Sequence, residues 1–145
     1  MKAVKFYIMP DDAVSGSDKM LDAVCHIIAR HYYNNERVFV LSETKQQAEA
    51  LDELLWQFDA EAFVAHNLVG EGPRSGAPVE IGWQSAHNRR QTLVHLNTQI
   101  APNLDLYQHI VDFVPADKAG KQQARERYKA YRRLGLMPQT EPLDI

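Results

Sequence analysis

With 145 residues, a 45% hydrophobic fraction and a formal net charge of −3, the chain suits one domain that buries a core of its own. Its single cysteine, Cys25, excludes an internal disulfide and fits a reducing cytoplasm, and no apolar run approaches the roughly 20 residues that cross a bilayer. The start of the chain lacks the basic-then-apolar pattern of a signal peptide, and a protein acidic as a whole does not coat DNA indiscriminately.

Residues 4–9 read as a first strand, closed by Pro10-Asp11-Asp12. Ser17 or Asp18 caps a helix to about residue 33, with Met20, Leu21, Val24, Ile27 and Ile28 as its inner stripe. Cys25 lies in that apolar run and reads as a small buried hydrophobe. Residues 37–41 are almost continuously apolar, the pattern of a strand covered on both faces. A second helix starts at Ser42 or Thr44 and runs to about residue 58, burying Ala48, Leu51, Leu54 and Leu55. Residues 66–78, rich in Gly and Pro, read as a loop, and residues 84–90 as an exposed polar excursion. Strands are predicted at 79–83, 92–96 and 109–114, and a last helix at 117–134 before Gly135. Strand, helix, strand, helix with short connections predicts a three-layer α/β domain with a mainly parallel sheet over residues 1–136. Residues 137–145, with Pro138 and Pro142, read as a loose C-terminal tail.

The glycine-rich stretch from Gly70 to Gly76 is the obvious place to look for an enzyme. A phosphate loop needs a Lys and a hydroxyl after its last glycine, whereas Ala77-Pro78 follow Gly76. Pro73 removes an N–H donor, and Glu71 repels phosphate. No His pair has metal-chelating spacing, no second cysteine exists, and no nucleophile elbow appears. Asp11 and Asp12 read as a turn. No cofactor or metal is expected, and a nucleotide-dependent enzyme is the weakest reading.

The charge is unevenly spread. Residues 117–134 carry seven cations against two carboxylates, a net +5 that leaves −8 for the rest. At about 100° per residue, Lys118, Lys121, Arg125, Lys129 and Arg132 share one stripe, with Tyr128 at its edge. Ala124, Tyr131 and Leu134 lie opposite and are predicted to face the sheet, with Arg127 snorkelling to the rim. An ordinary solvated face interleaves signs to gain i,i+4 pairs, and this stripe does not. It is short for tracking DNA, so direct nucleic-acid binding is the second choice. A short acidic segment ending in an apolar side chain and a free carboxylate fits better. Lys121 and Arg125 are predicted to meet its carboxylates, Lys118, Lys129 and Arg132 to add a steering field, and Val114 and Pro115 to floor an apolar pocket.

Three blocks carry a family resemblance: Phe63-Val64-Ala65-His66-Asn67-Leu68-Val69-Gly70-Glu71-Gly72-Pro73-Arg74-Ser75-Gly76-Ala77-Pro78-Val79-Glu80-Ile81, Val111-Asp112-Phe113-Val114-Pro115, and Ala124-Arg125-Glu126-Arg127-Tyr128-Lys129-Ala130-Tyr131-Arg132. Together with Lys5-Phe6-Tyr7 and the stretch from Leu51-Asp52-Glu53 to Trp56, the chain resembles the chi subunit of bacterial DNA polymerase III over nearly its whole length. Residues 84–108 and the segment after Gly135 match weakly. The resemblance implies a nucleotide-binding-like fold without a nucleotide site and a non-catalytic role. It implies pairing with the psi subunit, which joins chi to the clamp loader, and capture of the acidic C-terminal tail of single-stranded DNA-binding protein. Trp56 and Phe63 are the candidates for the psi-facing patch.

Overall fold

The computed structural model describes residues 2–57, 64–71, 77–84 and 89–143. In chain order, β1 (Ala3–Ile8), α1 (Asp18–Tyr33), β2 (Val38–Leu41) and α2 (Lys45–Gln57) lead to β3 (His66–Leu68) and β4 (Val79–Gly82). β5 (Thr92–His95), a 3-10 turn (Leu104–Leu106), β6 (His109–Val114), α3 (Lys118–Arg133) and β7 (Gln139–Pro142) follow. Among the described residues seven strands form one all-parallel sheet in the order β3-β4-β2-β5-β6-β1-β7.

The faces follow from crossover direction. From β1, α1 carries the chain to β2, and α2 continues the same way to β3; α3 runs oppositely, from β6 to β7. Right-handed crossovers in opposite directions cover opposite faces. The apolar residues sort accordingly: Leu21, Val24, Ile28, Leu51 and Leu55 pack in one core, and Ala124, Tyr131 and Leu104 in the other. Alternate residues of β2 feed both cores, Val38 and Val40 on the α1 and α2 side, Phe39 and Leu41 on the α3 side. All four are buried, and each large side chain so buried contributes about 1.5–3 kcal/mol. Ser17 caps α1 by accepting from the Met20 N–H, and Thr44 accepts the Gln47 N–H at the start of α2.

Five expectations about the fold need correction. Residues 66–68 are not loop but an edge strand, β3, paired with β4. Three residues with one aliphatic side chain carry no periodic signal, and His66 anchors them with ring nitrogens 2.7 Å from the Val64 carbonyl and 3.1 Å from that of Asp52. The polar excursion ends in Arg90, which is buried and donates to the carbonyls of Val38, Ala77 and Pro78. The tail is not loose through residues 139–142: β7 pairs with β1, Leu143 N–H donates to the Ile8 carbonyl, and Lys5 meets Glu141 at 3.5 Å. A polar edge strand ending in Pro needs no alternation, because one side faces solvent. Finally, Leu134 does not reach the sheet and is 59% exposed, while Arg127 is buried rather than snorkelled.

Candidate functional site

The inner face of α3 sets where its outer face points. Asp117 caps the helix, accepting from the Gly120 N–H at 2.9 Å and from the Ser15 N–H and hydroxyl at 2.7 and 2.8 Å. These bonds hold its carboxyl down to about 2. Gly120 lies so close to the β1–α1 connection that an added Cβ would fall 2.4 Å from Ser15 Oγ and 2.8 Å from Pro115 Cβ. Further along the helix, Ala124 and Tyr131 are buried, and between them Arg127 Nε reaches both oxygens of Asp112 on β6, at 3.2 and 3.0 Å. Tyr131 donates to Asp112 as well, at 3.1 Å. With that face locked, the cations lie outward.

Between α3 and the β1 end of the sheet lies a groove of about 280 Å³. Phe6, Val114, Ala124 and Tyr128 supply apolar surface, and Lys121, Arg125, Lys129 and Thr140 line it too. Tyr128 is braced by its hydroxyl, which donates to the Pro138 carbonyl at 3.2 Å. Lys129 has an exposed partner in Glu126 at 3.7 Å. Lys121 and Arg125 have no carboxylate partner among the described residues. An apolar floor beside unpaired cations can take a hydrophobic side chain and an adjacent carboxylate together.

Of the predicted site residues, the structure gathers Lys121, Arg125, Lys129 and Val114 around this groove. Lys118 and Arg132 are exposed on the same helix but do not line it. Pro115 is buried against Gly120 and borders a different crevice, so it does not floor the groove. Phe6 and Thr140 escaped the sequence reading. Phe6 lies with Val4 on the α3 side of β1, its ring against Tyr128 and Tyr131, and the alternation of that strand is a signal in retrospect; Thr140 lies on the unrecognised β7 and gave none. Trp56, in the last turn of α2, is 57% exposed, with its ring centroid 4.6 Å from that of His66. Phe63 and residues 72–76 of the glycine-rich stretch lie outside the described residues.

Open parallel sheets usually bind ligands beyond the carboxyl ends of their strands. Here that end, beneath a crevice of about 260 Å³, holds His95, Asp112 and Arg127. The Asp112–Arg127 pair neutralises it from within, and Arg127 also donates to the Phe113 carbonyl at 3.0 Å. Among the described residues no group of three or more His, Cys, Asp or Glu side chains is placed to hold a metal, and no helix is long and apolar enough to cross a membrane. Burial pushes the Cys25 thiol up to about 12, the behaviour of an inert core residue.

A family model described as DNA polymerase III chi subunit, HolC, matches residues 1–139. The chain is 46% identical over 139 residues to the DNA polymerase III subunit chi of Escherichia coli, covering 94% of this chain and 95% of that one. It is 37% identical over 142 residues to the subunit of the same name from Haemophilus influenzae, covering 97% and 96%. To that of Pseudomonas aeruginosa it is 27% identical over 136 residues, covering 93% and 92%. By fold, by the long matched span and by these relatives, the chain belongs to the DNA polymerase III chi-subunit family, an accessory rather than a catalytic component of that polymerase.

Proposed function

We propose that this chi-family chain is a cytoplasmic adaptor of DNA replication, which joins the clamp-loader complex through the psi subunit and grips the acidic C-terminal tail of single-stranded DNA-binding protein. The observation that carries the reading is the groove beside α3, where Lys121 and Arg125 stand without carboxylate partners among the described residues, next to Phe6, Val114 and Tyr128. A tail ending in an apolar residue and a free carboxylate places its side chain on that floor and its charge on Arg125, which can bind a carboxylate through two N–H groups. Lys118 and Arg132 act at longer range, raising the encounter rate rather than the strength of the complex.

Calorimetry with a peptide from the tail of single-stranded DNA-binding protein tests this. Micromolar affinity corresponds to about −8 kcal/mol. Arg125→Ala should cost about 2 kcal/mol, because a partly desolvated charge pair is broken. Lys118→Ala should cost at most about 1 kcal/mol, as an exposed pair does. Equal binding by wild type and a folded Arg125→Ala protein would remove α3 from the mechanism.

A further inference from the structure

At the opposite end of the strands from the Asp112 cluster lies a second cavity, of about 450 Å³. It is built from the residues that enter four neighbouring strands: Lys2 before β1, Arg37 before β2, Arg89, Arg90 and Gln91 before β5, and Tyr107 and Gln108 before β6. Those strands are adjacent in the order β2-β5-β6-β1, so positions dispersed over a hundred residues of sequence converge at one rim. No motif could have shown this.

Among the described lining residues four side chains are cations, against one carboxylate, Asp105. Lys2 Nζ donates to the Tyr107 carbonyl at 2.9 Å, and Arg89 Nη1 to the carbonyl, not the carboxylate, of Asp105 at 3.1 Å. Arg90 donates to three carbonyls. Neither Lys2 nor Arg89 has an ion-pair partner among the described residues. Their positive charge is therefore positioned without being neutralised. Tyr107 adds a hydroxyl donor to the lining. It is 2% exposed and lines the cavity, yet its hydroxyl makes no hydrogen bond among the described residues. The hydroxyl is open to the cavity and can donate to an acceptor that enters it. Burial, opposed by Arg90, raises the Tyr107 hydroxyl above its usual range, so it is a donor at neutral pH.

The geometry points to a phosphate-binding site, for a nucleotide or for the phosphodiester of a single strand, formed by Lys2, Arg37, Arg89 and Tyr107. Guanidinium, ammonium and hydroxyl donors arriving from several strands suit the many acceptor oxygens of a phosphate. An acidic peptide with an apolar end fits less well, because Leu106 is the one aliphatic side chain among the described lining residues. This site is separate from the α3 groove, with which it shares none of its described lining residues.

The test uses the full chain, with inorganic phosphate, thymidine monophosphate and a fluorescent oligothymidylate as probes. Phosphate should shift the amide resonances of Gln91 and Gln108, and the oligothymidylate should bind with salt-sensitive anisotropy. Arg37→Gln/Arg89→Gln should weaken binding at least about tenfold, and lower the salt slope by about 0.7 for each phosphate that is no longer neutralised. Tyr107→Phe, which keeps the ring and its packing, should weaken it a few-fold, and Arg125→Ala should leave it unchanged. Displacement of the oligomer by thymidine monophosphate assigns the site to free nucleotides; resistance to it assigns the site to the strand. The proposal is overturned by an absence of phosphate-induced shifts, by equal binding of wild type and Tyr107→Phe, by loss of binding in Arg125→Ala, or by an acidic peptide displacing phosphate from the cavity.

Discussion

Asp112 is a carboxylate in the middle of a buried strand. Burial by itself raises its pKa, but His95, with Nδ1 3.4 Å from one oxygen, and Arg127 at 3.0 Å hold it below the usual range. It remains an anion, and Arg127 is its closest counter-ion. The sequence expectation that Arg127 snorkels came from a helical wheel, which gives a direction and no partner. The signal that could have named the partner was Asp112 itself, since a charge interrupting an apolar strand must be compensated. Such a pair stabilises little against a hydrophobic replacement, yet breaking it strands a buried charge. Arg127→Met alone should therefore cost about 3–5 kcal/mol in urea unfolding. Adding Asp112→Asn to Arg127→Met should return about 2 kcal/mol of that loss, the coupling expected of contacting residues. If the double variant is as unstable as the two single losses added together, the pair is not what holds α3 to the sheet.

At the scale of elements, α3 was legible almost to the residue and β7 was not legible at all. α3 announces itself through a capping Asp117, a small-and-aromatic inner face and a terminating Gly135 at φ 85°. β7 is four exposed residues whose pairing with β1 depends on where α3 delivers the chain. Edge strands are defined by their neighbour, and a neighbour is not written in a local pattern. The cap makes α3 sensitive to acid in a calculable direction. Asp117 is lowered from 3.8 to about 2 by its bonds from Ser15 and Gly120. A depressed folded pKa contributes stability that is complete above the unfolded value and is lost as pH falls through the folded one. Asp117→Ala should thus be less stable than wild type at neutral pH, and the gap should begin to close below 3.8 and vanish near 2. Urea midpoints for both proteins across that range measure it; a gap that persists at the acid end would show that the side chain acts through something other than its charge.

For the whole molecule, the order of the strands matters more than any one of them. The parallel architecture could be read from alternating strands and helices, but the position of the edges could not, because both edge strands, β3 and β7, are short and polar. Those edges carry the two proposed partner surfaces. Trp56 packs on His66 of β3, whereas the cationic groove lies between α3, β1 and β7. Five to six inter-strand spacings of about 4.8 Å put them about 24–29 Å apart across the sheet. An adaptor requires this, since two partners must be held at once without competing. Sites so far apart that share no residue should be energetically independent. Trp56→Ala should weaken psi binding by about 2 kcal/mol, as truncating an aromatic hot spot does, while tail-peptide affinity moves by no more than about 0.5 kcal/mol. Arg125→Ala should do the reverse, and the double variant should show both losses unchanged. Raising salt should weaken the peptide and spare psi, because exposed charges are screened beyond about 10 Å at 0.1 M while apolar burial is not. Titrating psi and peptide, singly and in sequence, onto the same preparations measures all of these effects. A several-fold change in psi affinity on saturating the groove would mean that the sheet transmits a signal between its edges, and the chain would then be a switch rather than a passive bridge.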